Sequence, residues 1–191
     1  MPLLETLPIT PGCTQWDLWG TVARIVVTDP DRLDRAADLI RTELDAIEAA
    51  CSRFRTGTEI HDVARAGGRP IRVSGLLADL VATALRAART TDGDVDPTLG
   101  TAMNAIGYDR DFDAIRPGGQ PSLTIYRRTD WRDIHLDGTE LTVPAGTLLD
   151  LGATAKARAG RMADPGPRRR RPARLQGPAT GRFGAGHVQH D

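Results

Sequence analysis

From Asp31 to Ala50 the apolar residues Leu33, Ala37, Ile40, Leu44 and Ile47 recur at steps of three and four, with Arg, Asp and Glu between them. That spacing predicts an amphipathic helix with Asp31 as N-cap, and its charged side restricts it to covering a sheet. A second segment obeys the same rule. Ser74 is its N-cap, Leu77, Leu80, Val81, Ala84, Leu85 and Ala88 form its inward face, and Gly93 and Pro97 forbid continuation much beyond Thr91. Two one-sided helices require strands to lie upon. The β-branched run from Trp16 to Thr28 predicts one strand, starting near Gly20 and stopping at Asp29-Pro30. Pro70 to Val73 predicts a short strand after a Gly67-Gly68 turn, and residues 133 to 143, DIHLDGTELTV, predict a hairpin turning at Asp137-Gly138. Leu148 to Leu151 predicts a last strand, leading into a helix over Ala153 to Ala159. Cys51 to Ile60 is a polar loop with one aromatic residue, Phe54, and the stretch after Gly100 reads as a long loop with at most one irregular helical turn.

A length of 191 residues suits one domain, and with aromatic residues at only 4% its core must rely on Leu, Ile, Val and Ala. The formal charge is zero but uneven. Residues 157 to 191 carry eight arginines against Asp164 and Asp191, net +6, which leaves −6 on the first 156 residues. Cys13 and Cys51 match no metal-ligand or redox spacing and read as reduced thiols. The N-terminal MPLLETLPITPG lacks a basic segment followed by a long apolar one, and no eighteen apolar residues run together, so the expectation is a soluble cytoplasmic protein without a membrane span.

Three clusters place polar residues where loops meet regular elements. CSRFRTGTEI (51 to 60) follows the first helix, and GDVDPTLG (93 to 100) sets Asp94 and Asp96 on an extended turn between glycines that admit a ligand to the backbone. The third, LDLGATAK (149 to 156), ends in Lys156, the only lysine of the chain, beside a predicted helix N-terminus suited to phosphate. Each cluster alone has a plain alternative, since paired aspartates in a turn are more often turn-formers than ligands.

In order and spacing, these clusters together with Trp19-Gly20-Thr21 resemble the ApbE family of FAD:protein FMN transferases. The family pieces are M-G-T, C-S-x-F/Y-x-x-x-S-E-I/L, G-x-F-D-P-T-V/L-G and L-D-L-G-A/G-I/T-A-K-G. The resemblance implies an α+β fold, a mainly antiparallel sheet with covering helices. It also implies Mg²⁺-assisted transfer of FMN from FAD to a threonine hydroxyl of a target flavoprotein, with release of AMP. By the same resemblance Phe54 packs against the flavin, Asp94, Val95 and Asp96 line FAD with Asp96 as the hydrogen-bonding acid, Asp150 and Lys156 contact FAD, and the carbonyl of Ala153 is a Mg²⁺ ligand. Trp19 stands where the family has methionine, as a ring able to stack, Thr58 replaces the serine before Glu59, and Ala157 replaces the last glycine.

The family's second half, with its H-x-I/L-D-P-x-T-G and A-D-x-x-x-T-A/S segments and their Mg²⁺-binding aspartate and threonine, has no counterpart after Lys156. The expectation is therefore an incomplete fold, truncated or frameshifted after about residue 157: an extended lead-in over 1 to 15, the N-terminal part of a transferase domain over 16 to 158, and a disordered Arg/Gly/Pro-rich tail over 159 to 191. Such a chain keeps part of the FAD surface and loses most of the metal site, which leaves two other readings open: a non-catalytic remnant flavin binder, or an unstable fragment. A third reading takes Arg168 to Arg171 as a non-specific phosphate-backbone binder; no aromatic residue stands among them, so no specific nucleic-acid site is expected. His187 and His190 read as solvated tail residues, and His61 and His135 as structural ones.

Overall fold

A computed structural model describes residues 11–108 and 129–162. The first element is a hairpin: β1 (Cys13–Leu18) pairs antiparallel with β2 (Thr21–Val26), Leu18 facing Thr21 across the two-residue turn Trp19-Gly20. The sequence predicts only the second of these strands and places Cys13 in the lead-in. Both turn residues have positive φ, 49° at Trp19 and 67° at Gly20, a tight hairpin geometry that a tryptophan rarely signals.

A 3₁₀ turn (Pro30–Arg32) leads into α1 (Leu33–Cys51). Asp29 caps the 3₁₀ turn, its Oδ1 accepting from the Asp31 amide at 3.2 Å, and α1 itself starts from Arg32 with no side-chain cap, so Asp31 is not its N-cap. Ala37, Leu44, Ile47 and Ala50 are buried along the expected face. After the 52–58 loop comes α2 (Glu59–Arg65), a helix the sequence leaves unread because seven residues hold too few turns for a periodic pattern. β3 (Ile71–Arg72) then leads to α3 (Gly75–Thr90), where Ser74 caps as predicted by accepting from the Leu77 amide at 3.1 Å, and all six expected inward residues are buried. Glu59 holds that cap in turn, receiving both the Ser74 amide (2.8 Å) and hydroxyl (2.7 Å).

Beyond the 91–99 turn lies α4 (Gly100–Ala105), a short regular helix where the long loop allows for one irregular helical turn; most of the predicted loop and the tail from residue 163 onward lie outside the described residues. β4 (His135–Asp137) and β5 (Glu140–Thr142) form the second hairpin, turning at Gly138-Thr139, one residue later than expected. With β3 they make a three-stranded antiparallel sheet in the order β3-β5-β4. The architecture is α+β with antiparallel sheets and covering helices. Ile47, Ile60, Leu77, Leu80, Leu141, Leu149 and Leu151 form the most buried layer of one core.

Leu148 to Leu151 is extended but is not a strand, because its backbone bonds go to a turn and a helix start. The Leu148 amide donates to Thr101 Oγ1 (2.9 Å) and the Asp150 amide to the Pro97 carbonyl (2.9 Å). α5 (Gly152–Met162) follows, so β1 and α5 both cross the boundaries expected at residues 16 and 158.

Gly100 makes this joint possible. A Cβ there would meet the Leu148 carbonyl, a backbone atom that cannot swing aside. Gly100→Ala is therefore expected to cost about 2–3 kcal/mol in urea unfolding, whereas Gly75→Ala, into open space at the start of α3, is expected to be neutral or stabilising by up to about 1 kcal/mol. Equal midpoints for the two variants would contradict this account of the joint.

Candidate functional site

The 93–100 turn, the loop after α1 and the start of α5 meet at Asp150. Its Oδ1 accepts from the Gly152 amide at 3.0 Å, and its Oδ2 from Arg53 Nε at 3.0 Å. One α5 amide that the sequence offers to phosphate is thus already taken by this carboxylate. Asp150 closes the N-terminus of its own helix and pairs with a guanidinium from 97 residues earlier.

Two cavities open on either side of this junction. One, of about 240 Å³, is walled by Trp19, Cys51, Arg53, Phe54 and Tyr108; the other, of about 450 Å³, lies along Asp94, Val95, Asp96, Ala153 and Thr154. Tyr108, Asp150, Gly152 and Lys156 line both. The residues assigned to ligand or metal by the motifs, Trp19, Phe54, Asp94, Val95, Asp96, Asp150, Ala153 and Lys156, therefore each border one of two adjoining cavities, together the cleft, whereas Glu59 is spent on the Ser74 cap. Asp96 is buried, with Oδ1 accepting the amide (2.8 Å) and hydroxyl (2.7 Å) of Thr98, so this carboxylate shapes the acidic turn it belongs to. Gly93, at φ 92°, lies close to the Trp131 indole, which packs beneath that turn.

Arg53 and Tyr108 escape a reading by motif. The Arg53 guanidinium stacks over Phe54 (4.3 Å to the ring centroid) and Tyr108 (4.7 Å), and the two rings meet edge-on at 5.8 Å. The one available signal is that aromatic residues are scarce in this chain, so Tyr108, at the end of the α4 segment, stands out. The buried Arg53 guanidinium has no local signature. His61 is structural as expected, its Nδ1 2.8 Å from Thr58 Oγ1.

Burial, then the carboxylates of Asp150 and Glu48, push the Cys51 thiol from about 9 up to about 12. The unfolded thiol ionises near 9 while the folded one stays protonated, so its stabilising contribution is complete below pH 9 and is lost as pH rises towards 12. Between pH 9 and 11 the urea midpoint of the unmodified chain is expected to fall more steeply than that of Cys51→Ala; parallel profiles would contradict it. Asp150→Asn, which leaves the Arg53 charge buried without its counter-ion, is expected to cost about 3 kcal/mol by the same unfolding measurement.

The frame is an α+β domain whose cleft has aromatic walls on one side and polar, glycine-flanked turns on the other. The chain belongs to the ApbE family, whose model matches residues 19–164. Over 99 residues it is 35% identical to the FAD:protein FMN transferase of Salmonella typhimurium, a stretch that makes up 48% of this chain and 27% of that protein. It superposes on the ApbE protein of Thermotoga maritima with a TM-score of 0.65 at 21% identity, covering 79% of this chain and 50% of the other. On the flavinyl transferase ApbE of Pseudomonas stutzeri, apo form, the TM-score is 0.64 at 18% identity, covering 79% and 52%. The chain thus spans about half the length of these solved relatives and 27% of the Salmonella protein. Among the described residues no helix is long and apolar enough to cross a membrane.

Proposed function

We propose that this chain binds FAD in the cleft, as the substrate-holding part of an FAD:protein FMN transferase. The observation that carries the reading is the convergence of four separate stretches, around Trp19, Phe54, Asp96 and Asp150, on cavities that meet at Asp150 and Lys156. Trp19 and Phe54 offer faces to a flat ring. Lys156 and the first turn of α5 offer charge and amides to the diphosphate. Asp94 and Val95 border the far side, with Asp96 holding their turn. Trp19 Nε1 and Arg53 Nη2 are buried without hydrogen-bond partners among the described residues, which suits a ligand rich in acceptor oxygens.

The complete reaction joins the hydroxyl oxygen of a threonine on a target flavoprotein to the FMN phosphorus. The phosphorus–oxygen bond to AMP breaks, AMP departs with the electron pair, and the hydroxyl proton is released. Mg²⁺ does not fit the described residues. Among them no group of three or more His, Cys, Asp or Glu is arranged to hold a metal, both Asp150 oxygens are engaged, and the Ala153 carbonyl belongs to the first turn of α5. An ion that requires a near-octahedral oxygen shell finds one carbonyl there. That observation favours the second reading, a flavin binder without transfer. Two free cysteines support a reducing, cytoplasmic setting for either.

Incubation of the full chain with FAD, Mg²⁺ and a threonine-bearing acceptor domain separates the two. Mass spectrometry is expected to find FAD retained by the chain, and covalent FMN on the acceptor together with free AMP defines the transferase. FAD retention without either product leaves the binder, and no retention removes both readings.

A further inference from the structure

The side chain of Arg53 is only 4% exposed, yet it forms a wall of the aromatic cavity. Nε is committed to Asp150, and Nη1 donates to Asn104 Oδ1 (2.7 Å) and to the Tyr108 carbonyl. Nη2 is buried with no hydrogen-bond partner among the described residues. A buried charged donor left unpaired is costly, so an acceptor that reaches it from the cavity Arg53 lines would be favoured. Its chemistry follows from the surroundings. The guanidinium charge is already matched by Asp150, and Glu48 on the same cavity is paired with Arg55 at 3.5 Å, so no unmatched charge beside Nη2 calls for an anion. A neutral carbonyl suffices. The walls are the rings of Trp19, Phe54 and Tyr108, which favour a planar heteroaromatic group. Lys156, where the cavities join, is the cation better placed for phosphate.

Resting on the flavin reading above, we propose that Arg53 Nη2 donates to a carbonyl oxygen on the edge of the flavin ring. Arg53 thereby selects carbonyl-bearing fused rings over bare ones, while its other donors hold Asp150, Asn104 and Tyr108 around the ligand. The residue is a specificity determinant for the ring and has no part in recognising the phosphates.

The test titrates the full chain and its Arg53→Lys variant with three probes: lumiflavin, which has the ring without phosphates; phenazine, three fused rings without carbonyls; and ADP, phosphates without flavin. Lysine keeps a cation near Asp150 but lacks the second guanidinium nitrogen. The unmodified chain is expected to bind lumiflavin at least about tenfold tighter than phenazine. Arg53→Lys is expected to erase that preference, with ADP read alongside to show how far the rest of the cleft survives the change. Equal binding of lumiflavin and phenazine by the unmodified chain overturns the proposal, whether or not the variant folds. A preference that survives in Arg53→Lys overturns it too. A chain that binds FAD but shows no carbonyl preference removes this inference alone, whereas one that binds neither FAD nor lumiflavin removes the parent reading with it.

Discussion

The ion pair between Arg53 and Asp150 joins parts of the chain that no local interaction could bring together. A guanidinium shielded from water is costly unless its charge and its hydrogen bonds are met, and here Asp150, Asn104 and the Tyr108 carbonyl meet most of them. Those partners come from the 148–151 stretch, from α4 and from the segment after it. Each must arrive in place for the charge to be tolerated, so this one side chain ties the loop after α1 to both walls of the cleft. The aromatic rings of Phe54 and Tyr108, set at right angles to one another, add a softer restraint as the guanidinium lies against both.

Around that pair, the glycines of the motifs have concrete steric roles. Gly100 lets the start of α4 approach the Leu148 carbonyl, and the bonds from Thr101 and Pro97 then run the 148–151 stretch along the acidic turn instead of along a strand. Sheet pairing would have committed the backbone groups of this stretch to a neighbouring strand and fixed Asp150 on one face of the sheet. The non-strand path leaves its carboxylate free to receive Arg53 on one oxygen and the first amide of α5 on the other. The cleft thus exists because an extended segment was denied a sheet partner.

Membership of the ApbE family and a cleft with aromatic and cationic walls point the same way, towards a flavin nucleotide. The donor set points elsewhere for the metal. Carboxylates near the start of α5 are spent on structure: Asp150 on Arg53 and Gly152, Asp96 on Thr98. On the proposed reading, recognition of the nucleotide and assembly of a metal sphere are separable, because ring stacking and hydrogen-bond donation need only the residues of the cleft, while a Mg²⁺ shell needs several converging oxygens.

What the sequence determined by itself was whatever repeats or caps within a few residues. Ser74 and the apolar face of α3, the inward side of α1, and the alternation around Gly138 each express a local rule, and each element formed nearly where that rule puts it. The ordered motifs likewise named the family and most of the stretches that line the cleft, though not the one that brings Tyr108. The tertiary structure decided the rest. It placed Trp19 in a left-handed turn, made a helix of Glu59–Arg65, kept Leu148 to Leu151 out of the sheet, and gave Arg53 its role. These features depend on partners far along the chain, and the burial energy that selects them arises only once the core has closed.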